Sequence, residues 1–435
     1  MSVLSNGLSV ASQTMPGLMT STISLWVDAG SRADKMSSSG AAHFLEHLMF
    51  KGTKSRDQYT MEYEIEDMGA ELNAYTSREQ TCFQSHCFDE CAPKMVEILA
   101  DITQNQKLDE GAIEREKDVI LREAEDVAQN HTETLFDHLH AVAYQNQPLG
   151  NTILGPESHI RKMTKRDLES YVADNYTADR MCLVGAGGIE HETLIELAEK
   201  HFANVKTSPN PIALGDMRRT PSSFTGAEVR VRDDTMNQLH LAIAVEAVGW
   251  RHPDYWPLQV MAAILGNWDR GLGASPLLSS KLSHLIQTNG LANSYQHFFT
   301  AYADTGLWGI NMITESFDRV DDMVHFTLKE WTRMSLSPTT SEVERAKSQT
   351  KAAQLLSLDG TLAISEDIGR QMLTLGRRLA PREIERNIEN VTEEDIKRVA
   401  QRYLWDKDIA IAALGQTEGL LDYNRIRADM SSMIA

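Results

Sequence analysis

No stretch of this sequence approaches the ~18 uninterrupted apolar residues of a bilayer-spanning helix, so a membrane-spanning chain is excluded, while docking onto a membrane protein is not. Cysteine is scarce, with four in all: Cys82, Cys87, Cys91 and Cys182. The spacing of the first three does not match a zinc finger, and a chain this long needs no disulfide framework to hold a core. They read as reduced thiols in core strands and loops, where cysteine behaves as a small hydrophobe. Basic residues are outnumbered, 42 Lys and Arg against 62 Asp and Glu, a formal charge of −20. That balance disfavours attraction to phosphate backbones or anionic lipid and favours basic partners. The basic clusters MRRTP and GRRLAPRE are short and carry no alternating aromatics for base stacking, so nucleic acid is not an expected partner. The N-terminus, MSVLSNGLSVASQTMPG, has neither a basic apolar signal segment nor an Arg-rich amphipathic presequence. The expectation is that the protein works where it is made, or that a targeting segment ahead of this numbering has been removed.

What is present is the composition of a globular protein, with 42% of 435 residues apolar, too many for one ordinary core. Two strand-like runs, GLSVASQTMPG and MTSTISLWVDAGSRAD, predict a hairpin broken at Pro16 and Gly17. A helix is expected from Ser38 or Ser39, then a second through TMEYEIEDMGA, strands in ELNAYTSREQTCFQSHCF, and helices in CAPKMVEILADITQN and LDEGAIEREKDVILREAEDVAQN. ADRMCLVGAGGI is a short apolar strand followed by a helix.

The three prolines and mixed polar residues of 206–222 mark a linker. After it the order of elements restarts. NQLHLAIAVEAVGWRHPD answers TSTISLWVDAGSRAD, GLANSYQHFFTAYADTGLWGINM answers GAELNAYTSREQTCFQSHCF, and SLSPTTSEVERAKSQTKAAQLLSL answers QNQKLDEGAIEREKDVILREAE. The expectation is an α+β protein of two homologous domains, 1–205 and 223–435, each a mainly antiparallel sheet covered by helices on one face.

The duplication is unequal. GAAHFLEHLMFKGT puts His43, Glu46 and His47 in an apolar helix, where the second copy has WPLQVMAAILGNWD and no histidine. On a helix His43 and His47 project from one face and can reach one ion. This H-x-x-E-H order is the inverted zinc-peptidase motif, in which the glutamate acts as general base. A third ligand is required. Glu116 and Glu123, two turns apart, share a face in IEREKDVILREAEDV; one could bind the ion and the other support a histidine, and spacing does not choose between them. The competing reading, two satisfied histidines and an ordinary charged face, is weakened by the unequal duplication and by the cost of an unpaired carboxylate in an apolar helix.

The sequence resembles the pitrilysin-type inverted-zincin metallopeptidases over nearly its whole length, most specifically in DAGSRAD, GAAHFLEHLMFKGT, GAELNAYTSREQT, EREKDVILREAEDV, VAYQNQPLGNTILGP and YADTGLWGI. Within that family it is similar to the beta-type branch, which processes mitochondrial presequences or serves as a core subunit of the cytochrome bc1 complex. The resemblance implies zinc held by His43, His47 and Glu123, with Glu46 as general base and Glu116 as a supporting carboxylate. It implies that Asn73, Ala74 and Tyr75 form an edge strand that holds an extended substrate by its backbone. Glu133 and Asp137, one turn apart, match acidic positions that face a basic residue two before the cut; taken alone they would read as a solvated face.

The fold implied is half of a clamshell whose other half is an alpha-type partner bearing a glycine-rich loop. No such loop is found here, since GNWDRGLGASP is short, and activity in isolation is expected to be weak or absent. The Arg and Tyr that many single-chain relatives carry in the second half are replaced by Ile286 and Asn293, which fits the beta-type branch. The implied setting is the mitochondrial matrix, or the matrix side of the inner membrane if the chain belongs to the bc1 complex. The rival readings are a structural core subunit of that complex and a general peptide-degrading homologue.

Overall fold

The computed structural model describes residues 1–272 and 280–432. The stretch GNWDRGLGASP therefore runs past residue 272, and its last residues, 273–276, lie outside the described residues, as do 433–435. The N-terminal half holds strands β1 (Ser2–Val3), β2 (Ser9–Thr14), β3 (Thr20–Val27), β4 (Glu71–Thr76), β5 (Thr81–Phe88) and β6 (Met181–Gly187). Its helices are α1 (Ala41–Met49), α2 (Gln58–Asp67), α3 (Ala92–Gln104), α4 (Glu110–Gln129), α5 (His131–Ala143), α6 (Glu157–Ile160), α7 (Lys165–Asn175) and α8 (His191–Phe202). The C-terminal half holds β7 (Glu228–Arg232), β8 (Leu239–Val248), β9 (Asn267–Asp269), β10 (Ser294–Ala301), β11 (Thr305–Thr314) and β12 (Ile409–Gly415). Its helices are α9 (Tyr255–Leu265), α10 (Lys281–Asn289), α11 (Val320–Leu336), α12 (Thr340–Leu356), α13 (Thr361–Leu375), α14 (Pro381–Glu389), α15 (Glu393–Tyr403) and α16 (Tyr423–Ser432). No helix among the described residues is long and apolar enough to cross a membrane.

Each half builds a six-stranded sheet, ordered β1-β2-β6-β3-β5-β4 and β7-β12-β8-β11-β10-β9. Both are antiparallel except for one parallel pair, β2 with β6 and β7 with β12. The expected hairpin of β2 and β3 does not form. Strand β6, MCLVGAG, is buried at every residue and lies between them, pairing parallel to β2 and antiparallel to β3. A run this apolar leaves least surface in water at the centre of a sheet, and that preference outweighs the short connection through Pro16 and Gly17.

The compact units are not the two contiguous stretches expected from the boundary at 206–222. The first comprises Met1–Asp126, Asn151–Arg219 and Ser357–Leu379; the second comprises Val127–Gly150, Thr220–Leu356 and Ala380–Ala435. Each half thus contributes one helix to the other's sheet. In the second unit α5 buries Leu135, Leu139 and Ala143 against Ala242, Ala244, Ala410 and Ala412 of β8 and β12. In the first, α13 buries Ile364, Ile368 and Met372 against Trp26, Cys82, Cys182 and Val184. Hydroxyl pairs fix it there, Thr22 with Thr361 at 2.9 Å and Ser24 with Ser365 at 2.6 Å. The first sheet is consequently covered on both faces, since Ile23, Leu25 and Phe83 meet α1, α3 and α8 on the other side.

The stretch read as a linker is also anchored. Arg218 pairs with Asp28 at 3.0 Å and Asp179 at 2.9 Å, and Arg219 with Asp28 at 2.6 Å, all nearly buried. The cluster MRRTP spends its charge inside the first unit. The four cysteines are free thiols; Cys82, Cys87 and Cys182 are buried and Cys91 is half-buried.

Candidate metal centre

The loop between β3 and α1 sets the start of the metal helix. Asp34 accepts from the backbone N–H of Gly40 at 2.7 Å and of Ala42 at 3.0 Å, occupying donors that a helix start leaves free. Burial pushes the Asp34 carboxyl up to about 7, against these two bonds. Gly40 turns with φ 97°, and a Cβ there would lie 2.4 Å from the Leu154 carbonyl oxygen. The helix therefore begins at Ala41, slightly later than Ser38 or Ser39, because only glycine makes that turn so close to another backbone.

Helix α1 buries Phe44, Leu45, Leu48 and Met49 in the core and turns His43, Glu46 and His47 toward α4. Helix α4 buries Ala112, Ile113, Glu116 and Ile120, which brings its glutamate face onto the histidines. His43 Nε2 lies 3.5 Å from Glu123 Oε1, and His47 Nε2 lies 3.1 Å from Glu123 Oε2. Glu116 is instead 3.3 Å from His47 Nδ1 and 3.1 Å from Lys51 Nζ. Glu123 thus faces both Nε2 atoms, and Glu116 lies against the far nitrogen of one ring. His43 holds the Glu123 carboxylate below its ordinary pKa, while burial works the other way.

The donor atoms of His43, His47 and Glu123 lie within 4.8 Å of one another. His43 Nδ1 and Glu46 Oε2 are buried without a hydrogen bond, a costly arrangement for a purely structural cluster. Two imidazoles and one carboxylate with a further carboxylate alongside is the donor set of a catalytic zinc site, so the residues fit a single metal ion.

The second unit supplies an internal control. Counted back from the last helical residue, α9 carries Gln259, Ala262 and Ala263 where α1 carries His43, Glu46 and His47. Counted from the capping residues Asp109 and Thr339, α12 carries Ala346 and Ala353 where α4 carries Glu116 and Glu123. The corresponding cavity of about 360 Å³, lined by Gln259, Ala262, Ala263 and Ala353, keeps the room and none of the carboxylates.

Strand β4 lies at the edge of the first sheet, beside α1. Ala74 packs into the α1 side of the core, while Tyr75 points to the opposite face, edge-on to Trp26 at 6.1 Å. Asn73 alternates with Ala74, and its carboxamide oxygen accepts from the Ala74 N–H at 2.8 Å. Asn73 and Tyr75 therefore do not aim side chains at the metal helix; what this strand offers is its backbone. In the second unit the matching edge of β10 is occupied by β9, paired at Asn267–Asp269. Glu133 and Asp137 belong to α5 of the second unit, so the structure does not gather them into the compact unit that holds the histidines.

Sequence reasoning missed the residues that hold the site in place. Lys51 stands one turn after His47, a spacing that could have flagged it. Asp34 gave no signal beyond its place in DAGSRAD. Glu79, buried against Arg32 at 2.7 Å, ties the β4–β5 turn to the loop before α1 and is visible only in three dimensions. Tyr176 is buried near Glu46; burial and then the Glu46 charge push its hydroxyl above the ordinary range.

Residues 9–157 match Insulinase (Peptidase family M16), and residues 162–350 match the Peptidase M16 inactive domain. The chain belongs to the M16 peptidase family. It is 58% identical over 435 residues to the mitochondrial-processing peptidase subunit beta of Lentinula edodes, covering 100% of this chain and 93% of that one. It is 49% identical to the subunit of the same name in Homo sapiens, covering 98% of this chain and 86% of that protein. Among solved structures it is similar to a chain of complex III2 from Candida albicans, with a TM-score of 0.86 at 29% identity and 99% of both chains covered.

Proposed function

We propose that this chain is the catalytic, beta-type subunit of a zinc metalloendopeptidase that removes targeting presequences from proteins imported into mitochondria. The observation that carries the reading is the convergence of His43, His47 and Glu123 within 4.8 Å, with a partnerless Glu46 oxygen on the same helix. The relatives' description as subunits of a mitochondrial-processing peptidase supports a processing role and the mitochondrial setting, for which the matrix is the proposed compartment.

His43, His47 and Glu123 would hold the zinc. When bound, it supplies a Lewis acid for the scissile carbonyl and brings the pKa of water toward neutrality. Glu46 takes the proton of the attacking water and delivers it to the leaving amine nitrogen. Glu116, steadied by Lys51, holds the His47 ring in the orientation that presents Nε2. The substrate adds as a strand to the open side of β4, and its backbone displaces the Asn73 carboxamide from the Ala74 N–H. Ala74 and Tyr75 serve through their main chain, and Glu133 and Asp137 of α5 receive a basic residue of the presequence. The partner is an alpha-type subunit, proposed to carry the glycine-rich loop that GNWDRGLGASP does not supply.

A second reading, a core subunit of the respiratory cytochrome bc1 complex, is favoured by the likeness to the complex III2 chain. The two roles are compatible. A general peptide-degrading homologue is disfavoured by Ile286 and Asn293. The test is hydrolysis of a fluorogenic presequence peptide by the chain purified with its native partners, alongside a Glu46→Gln variant in the same assembly. Cleavage beside the basic residue that falls by about 10²–10⁴-fold in the variant, with about one zinc per chain retained, is expected. Full zinc occupancy with no cleavage by the wild type would overturn the reading in favour of the structural role.

A further inference from the structure

Helix α2 carries an exposed aromatic face that the proposed chemistry leaves unused. Its inner side is conventional, with Met61 buried and Ile65 and Met68 packed on the core. Its outer side lines up Tyr59, Glu62, Tyr63 and Glu66, the i, i+3, i+4, i+7 stripe of one helix face. Tyr59 is 76% and Tyr63 59% exposed, and their rings stack with centroids 6.4 Å apart and planes 22° apart. The carboxylates divide sharply. Glu64, at the side of the helix, is taken up by Arg56 at 2.9 Å and Lys94 at 3.4 Å. Glu62 receives only the neutral Gln58 amide at 2.8 Å, and among the described residues Glu66 has no cationic partner. The helix itself contains no Lys or Arg. The face thus presents two aromatic planes flanked by carboxylates that nothing in the first unit neutralises.

Such a face is complementary to one kind of occupant. A basic amphipathic helix can lay its apolar side on the tyrosine rings while its Arg or Lys side chains reach Glu62 and Glu66 or lie over the ring faces. The −20 net charge of the chain favours the same encounter at long range. Through Gly69, α2 leads directly into the open-edged β4, so a segment held here is kept beside the strand that takes the extended part of the substrate. We infer that the Tyr59–Glu62–Tyr63–Glu66 face of α2 is a docking surface for the basic amphipathic part of a presequence, remote from the bond that is cut. The inference rests on the presequence-processing reading. A stacked pair one turn apart could otherwise serve only to support its own helix, and the test separates these roles.

Two peptides are compared on the chain purified with its partner subunit: a full-length basic amphipathic presequence and a short peptide spanning only the scissile bond. The variants are Tyr59→Ser with Tyr63→Ser, and Glu62→Gln with Glu66→Gln. For the full-length presequence each double variant is expected to raise KM about 5–10-fold with kcat unchanged, and the glutamine pair to weaken the dependence of KM on salt. The short peptide is expected to show no change. Equal KM for the long peptide in wild type and both variants overturns the docking surface even if thermal stability falls, because the pair then only supports its helix. Loss of the partner subunit from the purified variants also overturns it, by assigning the face to the subunit interface. Failure of the wild type to cut either peptide would instead refute the processing reading itself.

Discussion

At the residue scale, the carboxylates around His47 divide the labour. Both Nε2 atoms face Glu123, while Glu116 sits between His47 Nδ1 and Lys51. Replacing Glu116 by Gln removes the charge that aligns the ring and leaves Lys51, half-buried, without its counter-ion. Zinc affinity is expected to fall about 10–100-fold, measured by competition with a chromophoric chelator, with activity partly restored by added zinc. Unchanged affinity would show that Glu116 serves Lys51 alone. The seven-residue spacing identified both glutamates, since two turns of helix return to the same face. It could not assign them, because which one meets the Nε2 atoms depends on how far α4 is displaced along α1.

At the scale of elements, two contacts carry predictions. Helix α13 reaches the first sheet only because residue 369 is glycine: a Cβ there would sit 2.1 Å from the Trp26 ring. Gly369→Ala should therefore lift the helix and cost about 1–3 kcal/mol in unfolding free energy, measured by denaturant titration. A cost below the gain that alanine brings to helix propensity would show that Trp26 repacks freely. The second contact is the start of α12, where Glu342 accepts from the Thr339 N–H at 3.0 Å and pairs with Arg333 at 2.8 Å. Burial opposes ionisation, yet Arg333 and Thr339 hold Glu342 down to about 2, against an ordinary 4.5. A carboxylate lowered on folding contributes stability that is complete above about pH 4.5 and disappears as pH falls toward 2. Glu342→Gln should lower stability at pH 7 by about 1–2 kcal/mol and flatten its decline across that acid window. An unchanged acid slope in urea titrations from pH 7 to 3 would refute the assignment.

At the scale of the whole molecule, the exchange of α5 and α13 makes the two halves dependent on each other. A fragment ending at residue 205 lacks α13 and uncovers Trp26, Cys82, Cys182 and Val184, residues buried to 1% or less. It is expected to aggregate or remain molten, losing near-ultraviolet dichroism, and to regain a cooperative transition when residues 206–219 and 357–379 are both restored to it. Cooperative unfolding of the 1–205 fragment alone would contradict the exchange. The whole chain is also expected to bind one zinc and not two, since the second unit keeps a cavity but has Gln259, Ala262, Ala263 and Ala353 lining it.

The sequence by itself determined whatever depends on local spacing and side-chain chemistry. Helical periodicity put His43 and His47 on one face, Glu116 and Glu123 on another, and repeated element order revealed two sheets of one plan. It also located Asn73–Tyr75 in a strand, because alternation and helix stops are local properties; that this strand lies at a sheet edge beside the metal helix is a tertiary fact. Only the tertiary structure decided the rest: that β6 divides β2 from β3, that Arg218 and Arg219 of the 206–222 stretch pair with carboxylates of the first unit, and that Glu133 and Asp137 ride on a helix of the second unit. The reason is physical. Which buried surface an apolar segment covers is settled by competition among all the apolar faces of the chain, and hydrophobic burial carries no sense of direction along the sequence.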